Sequence, residues 1–169
     1  MSGNDNKRLL EISSVSEDEL GVKLSAFNLK LFVPGLNKKV PVECLFQGGK
    51  VFENGGPYTD LYEKSPKEAK KDERLYSSGK LISFEYEGKR FPLKPETIFY
   101  DYLYMSALKE NEELSQQILE YDGFSDIVFN PNRSINTQAK AAAEYVSLVK
   151  TGQLDDFMDK IEMVEIKNE

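Results

Sequence analysis

The sequence predicts an α+β fold, a mostly helical single domain with a small antiparallel sheet and a hairpin. Three observations predict it. Asn28–Val33 alternates polar and apolar side chains, the two-residue period of a half-buried strand. Ser65 and Glu68 have capping-box spacing, with Pro66 at the first helical position. Leu154, Phe157, Met158 and Ile161 fall at i, i+3, i+4 and i+7, the apolar face of an amphipathic helix. The 169 residues suit one domain that buries about 70% of its unfolded-state surface.

Taken in order, residues 1–7 read as a disordered polar tail and residues 8–169 as the domain. Leu9–Ser13 is a short strand. Asn28–Val33 is followed by the turn Pro34-Gly35-Leu36-Asn37, in which Gly35 is expected to supply a positive φ, and by the return strand Val40-Pro41-Val42. Residues 43–52 read as one short helix, ended by Gly55-Gly56-Pro57. The Ser65-capped helix is expected to run to about Ser77 and stop at Gly79. Leu81–Tyr86, Glu87-Gly88-Lys89 and Arg90-Phe91 form a hairpin pattern. Pro95 opens a helix that is apolar around its circumference and therefore central to the core. A helix over about Glu112–Glu120 follows, then a turn at Asp122-Gly123, a short bridge at Ile127–Phe129, and a turn at Asn130-Pro131-Asn132. Ser134 caps a long helix to about Lys150, where alanines at 139 and 141–143 permit close packing. Gly152 stops it. Residues 153–163 form the last helix, a lid on the core or a partner-binding surface.

Composition narrows the chemistry. There is no histidine and no tryptophan, and Cys44 is the single cysteine. Without His there is no Ser-His-Asp triad, no Cys-His pair and no imidazole ligand for zinc. One Cys makes neither an intrachain disulfide nor a CxxC metal site. No apolar run approaches the ~20 residues that span a bilayer. Residues 1–6 lack the apolar stretch of a signal peptide. The lone thiol fits a reducing compartment, so a cytoplasmic location is expected. A net charge of −7 argues against sequence-independent gripping of nucleic acid, which neutralises many phosphates with Lys and Arg. Two local basic clusters remain: Lys67, Lys70, Lys71 and Arg74 on one predicted helix, and Lys89-Arg90 in the hairpin. Each reads first as a solvated face.

One constellation stands out. At 100° per residue, Glu43, Gln47 and Lys50 fall within about 60° of one another on the predicted 43–52 helix. Gly48 and Gly49 lie inside it, each costing about 1 kcal/mol relative to Ala. That cost is explained if another backbone or a ligand approaches too closely for a Cβ. The alternative is a solvated polar stripe with an early helix end.

Val42-Glu-Cys-Leu-Phe-Gln-Gly-Gly-Lys-Val-Phe52 resembles the signature of the NADAR family, Val-Glu-x-x-Phe-Gln-x-x-Lys-x-Phe. Leu24-Ser25-Ala26-Phe27-Asn28 is similar to the family's Ser-Asn-Phe motif, with Ala26 in place of the Asn and Asn28 standing in a turn position later. Asp126 falls where the family carries an acidic residue. Ser134-Ile-Asn-Thr-Gln138 resembles its Gly-x-Asn-x-x-Gly segment, with Asn136 on the Asn. The resemblance covers about Leu24 to Lys150. Gly56–Tyr62 and Phe129–Asn136 look like the subgroup of antitoxins found beside DarT-type toxins. The family pattern has a Trp before its middle helix, and Phe91 sits at the equivalent place.

The resemblance implies a hydrolase that removes ADP-ribose from guanine bases of DNA or RNA and so reverses a toxin, with free ADP-ribose as product, a cognate ADP-ribosyltransferase toxin as partner, and no membrane, cofactor or metal. Glu43 is the first choice for the carboxylate near C1 of the ribose, where positive charge builds as the N-ribosyl bond breaks. Asp126 is the second carboxylate. Lys50 is either a Schiff-base nucleophile or a phosphate-binding or Glu43-pairing cation. Ser25, Phe27, Asn28, Gln47, Tyr58, Phe91, Arg133 and Asn136 are the expected substrate-binding set. Tyr58 and Phe91 would stack on base or ribose, and Arg133 would help hold the diphosphate at a helix N-terminus. Two other functions fit the same residues: an N-glycosidase on a small riboflavin-pathway intermediate, and a non-catalytic module that binds ADP-ribose or a toxin.

Overall fold

The computed structural model describes residues 8–94, 97–126 and 138–163. The elements, in order, are β1 (Leu9–Ile12), α1 (Glu19–Lys23), β2 (Lys30–Val33), β3 (Lys38–Pro41), α2 (Val42–Gly48) and β4 (Lys50–Phe52). A 3₁₀ turn (Thr59–Glu63) leads to α3 (Pro66–Lys70), α4 (Arg74–Ser77), β5 (Leu81–Tyr86) and β6 (Lys89–Phe91). Then come α5 (Ile98–Glu110), α6 (Glu112–Ile118), β7 (Gly123–Asp126), α7 (Gln138–Lys150) and α8 (Leu154–Met163). The α+β class stands, and the β structure is divided among three small sheets. No helix among the described residues is long and apolar enough to cross a membrane.

The hairpins form as their periodicity dictates. β2 and β3 pair antiparallel, Leu31 opposite Val40, which are both buried. The positive φ in their turn belongs to Asn37, at 53°, and not to Gly35. Asn tolerates the left-handed region because its short polar side chain bonds locally. In the β5–β6 hairpin, Glu87 and Gly88 both have positive φ, 47° and 80°, the condition for a turn that matches strand twist.

Besides α1, which the sequence reading did not include, and shifts of a residue or two elsewhere, three differences from the sequence expectation bear on the architecture. The helix at 43–52 stops at Gly48, and Lys50–Phe52 continues as β4, paired with β5. The Ser65 helix breaks after Lys70, and Asp72 Oδ1 accepts the Arg74 amide at 2.9 Å to start α4 separately. Gly123 is strand rather than turn: Gly123–Asp126 pairs parallel with β1 across more than a hundred residues. The expected bridge at Ile127–Phe129, the turn at Asn130–Asn132 and the Ser134 cap lie outside the described residues, as do the tail 1–7 and Pro95.

The Ser65 cap takes the expected form. Its hydroxyl accepts the Glu68 amide at 3.1 Å, and Glu68 returns the favour to the Ser65 amide at 3.2 Å. Ser65→Ala should cost about 1 kcal/mol, measured by urea unfolding, with no change in the slope of the transition.

The centre of the core is aromatic. α5 is buried along most of its length, as its all-round apolar character predicts. Phe99 stacks on Phe84 at 4.8 Å and contacts Phe91 at 5.1 Å, and Phe46 of α2 joins them at 5.5 Å from Phe84. This cluster holds α2 rigidly against the β4–β6 sheet, which positions the polar face of α2.

Candidate active site

α2 begins beside the Ser25–Asn28 loop, and backbone hydrogen bonds join the two. The Val42 amide donates to Leu29 O at 2.9 Å and the Glu43 amide to Ala26 O at 3.0 Å. The loop is wound tightly: Ser25 O accepts from Asn28 and Leu29 at 2.8 and 2.7 Å, and Ser25 Oγ accepts the Phe27 amide at 3.2 Å. The Ala26 amide donates to Gln138 Oε1 at 2.8 Å, and Gln138 Nε2 donates to Ile12 O at 3.1 Å. Ile12 is the register partner of Asp126. One hydrogen-bonded chain therefore runs from the strand position of Asp126, through β1, Gln138 and the loop, to the backbone of Glu43. Ala26 takes part through its backbone alone.

The Glu43 side chain is only 8% exposed and Gln47 6%. One turn apart, they meet: Gln47 Nε2 donates to Glu43 Oε2 at 2.7 Å. Gln47 Oε1 is buried with no hydrogen-bond partner. A buried carbonyl oxygen without a donor is costly in a finished protein interior, and a ligand hydroxyl would satisfy it.

Lys50 reaches this group from β4 rather than from the helix. Its Nζ lies 5.0 Å from the centroid of Phe46, over the ring face. Burial pushes its pKa below the usual lysine range; Glu43 opposes that shift and Lys70 adds to it. Lys70 itself lies 5.8 Å from the Phe27 ring. Glu43, Gln47, Lys50 and Phe27 thus share one neighbourhood, the two cations bringing positive charge to it.

The glycines beside the site are explained by protein neighbours. A Cβ on Gly48 would come within 2.7 Å of the Tyr62 ring, and one on Gly49 within 2.8 Å of Glu85 O and 3.0 Å of Phe99 Cζ. Close backbone and ring approach is realised, and so is the early helix end of the alternative reading, but not its solvated stripe, since Glu43 and Gln47 are buried.

Other candidates sit elsewhere or are committed. Phe91 is fully buried, its ring against Phe99 and Tyr102, both at 5.1 Å, so it is a core residue and offers no face to a base. Tyr58 hydrogen-bonds Ser78 and lies beneath the Arg74 guanidinium at 4.4 Å, which occupies the face expected to stack on adenine. Arg74 is held in turn by Asp60 at 2.7 Å and Asp72 at 2.9 Å, so it leaves the basic cluster. Asn28 is exposed, its amide donating to Val22 O at 2.9 Å. Arg133 and Asn136 lie outside the described residues. Cys44 is buried and donates to Lys64 O at 3.4 Å; burial, with Glu43 beside it, raises its pKa to about 11, which keeps the thiol protonated and inert. Gln138 was not singled out from sequence, although it closes the Ser134–Gln138 segment whose resemblance drew attention to that region.

A buried carboxylate held by a glutamine, beside a lysine of lowered pKa and with no histidine, defines a class: a small α+β protein whose candidate site offers a carboxylate and an amine as its reactive groups. Comparison with protein families places it further. A profile described as DarT1-associated NADAR antitoxin matches residues 2–168, and the chain belongs to that family. A search of curated proteins finds no match.

Proposed function

We propose that this antitoxin is an ADP-ribosyl hydrolase that cleaves the N-glycosidic bond between ADP-ribose and guanine bases of nucleic acid, undoing the modification made by a cognate DarT1 toxin. The observation that carries the reading is the buried Glu43–Gln47 pair, with an unpartnered Gln47 Oε1 and Lys50 close by. Gln47 Oε1 accepts a ribose hydroxyl. Glu43 faces C1, where positive charge develops.

Lys50 acts as the nucleophile. Its neutral amine attacks C1, the C1–N bond to guanine breaks, and the electron pair leaves on the base nitrogen, which takes up the proton that Lys50 loses by way of Glu43. Lys50 gives up a proton to Glu43. The lysyl adduct opens to an imine, water adds to its carbon, and ADP-ribose departs as the amine is regenerated. Asp126 orients the ribose hydroxyls or protonates the departing base. No step calls for a metal or cofactor.

The role of Lys50 sets the pH dependence. The reactive form is the amine, so kcat rises with pH until Lys50 is deprotonated. Lys70 holds the Lys50 pKa down, so Lys70→Ala should raise it and move the rising limb of the kcat profile to higher pH. A limb that falls with pH, or one that Lys70→Ala moves downward, would assign Lys50 to phosphate binding instead.

The substrate is tested by comparing kcat/KM for a guanine-ADP-ribosylated oligonucleotide with that for free small N-ribosides, including riboflavin-pathway intermediates. Preference for the oligonucleotide by at least ~100-fold is expected. Preference for the small molecules would assign the site to that metabolism, and saturable binding without turnover would make the chain a binding module.

A further inference from the structure

On α5, Asp101 lies about 200° around the helix from Phe99 and so faces away from the aromatic cluster that supports α2. It points toward α7 and α8. Between the start of α5 and these two helices is a cavity of about 340 Å³. Ile98, Phe157 and Ile161 give it apolar walls, Thr97, Asp101, Lys140 and Glu144 its polar lining, and Lys160, which is exposed, a cationic mouth.

Asp101 is only 4% exposed. Its Oδ2 accepts from Thr97 Oγ1 at 3.0 Å and from Lys140 Nζ at 3.3 Å, and Lys140 is held in turn by Glu144 at 3.3 Å. Asp101 Oδ1 is buried with no hydrogen-bond partner. Burial pushes the Asp101 pKa up, and Lys140 opposes this. A buried carboxylate oxygen without a donor is expensive, and Asp101 is among the residues that line the cavity, so a ligand donor that reached this oxygen would relieve the cost.

We propose that this cavity is a second ligand site, separate from the Glu43–Lys50 group, and that it takes an adenine mononucleotide. The volume is at the lower end of small-molecule sites, which suits one nucleotide rather than a dinucleotide. The apolar walls cover the faces of a purine, with Phe157 as the aromatic contact. Asp101 offers one free oxygen, since Thr97 and Lys140 occupy the other. Adenine's amino group supplies a matching donor. The pairing edge of guanine carries adjacent N–H donors and calls for both oxygens of a carboxylate. Lys160 at the mouth meets the phosphate. The inference holds whether or not the chain is a hydrolase.

Calorimetric titration of the full chain with AMP, GMP and adenosine tests it. AMP should bind saturably, with GMP at least tenfold weaker. Asp101→Asn should weaken AMP at least tenfold, because the amide keeps its oxygen toward Lys140 and turns its NH₂ into the cavity, donor against donor. Lys160→Ala, a change at an exposed position that leaves the fold intact, should reduce AMP affinity to that of adenosine. Lys50→Ala should leave AMP affinity unchanged. The proposal is overturned by absence of AMP binding at millimolar concentration, by affinity that survives both Asp101→Asn and Lys160→Ala, or by affinity that depends on Lys50.

Discussion

Glu43→Gln should lower kcat on a guanine-ADP-ribosylated oligonucleotide by at least ~100-fold and leave the fold intact. The substitution is nearly isosteric, and its amide oxygen can still accept from Gln47 Nε2, which now lies 2.7 Å from the carboxylate. The backbone bonds that seat residue 43, from its amide to Ala26 O and through Ala26 to Gln138, do not involve the side chain. The negative charge is lost, and with it the group proposed to stabilise charge at C1 and to take the Lys50 proton. KM should change far less than kcat, because the carboxylate acts mainly in the transition state. Circular dichroism and thermal unfolding report the fold. Activity equal to the wild type in this variant would remove Glu43 from the mechanism.

The second large effect is on stability. Gly49 closes α2 and joins it to β4, and its carbonyl accepts the Glu85 amide at 2.8 Å. A Cβ there would meet Glu85 O at 2.8 Å and Leu45 O at 3.0 Å, both backbone atoms, and Phe99 Cζ at 3.0 Å inside the stacked aromatic cluster. None of these can move without disturbing a strand, a helix or the core. The φ of Gly49, −85°, is open to any residue, so the cost is steric alone. Gly49→Ala should destabilise by about 2–3 kcal/mol, as other overpacked positions do. A fall in Tm of roughly 5–10 °C is expected for a chain of this size. Because Gly49 lies between Gln47 and Lys50, activity should fall as well. A Tm within about 1 °C of the wild type would mean that β5 yields more easily than its hydrogen bonds suggest.

The local features were legible because local rules decide them. The capping box at Ser65, the hairpin turn at Glu87-Gly88 and the apolar face of α8 each follow from residues a few positions apart. The boundaries that shifted were decided by distant partners. Lys50–Phe52 has helix-compatible residues, but β5 lies alongside and draws them into a strand. The parallel pairing of β1 with β7 has no sequence signal shorter than the whole chain. The site shows the same division. Glu43 and Gln47 were placed together by helical spacing. Lys50 joins them from a strand, by a route that the assumed continuous helix did not describe. Phe91 was expected to stack because it sits where the family pattern has a Trp, whereas its position at the end of β6 turns the ring into the core. Gln138 escaped notice because its two hydrogen bonds go to backbone atoms more than a hundred residues away.

The central claim is that this chain removes ADP-ribose from guanine as an intact group. It is tested most directly by measuring the mass of a guanine-ADP-ribosylated oligonucleotide before and after incubation with the chelator-treated wild-type protein. The mechanism predicts return of the oligonucleotide to its unmodified mass, with one free ADP-ribose released for each one lost. An oligonucleotide that keeps its full modified mass, or that loses the guanine together with the ADP-ribose, would contradict it.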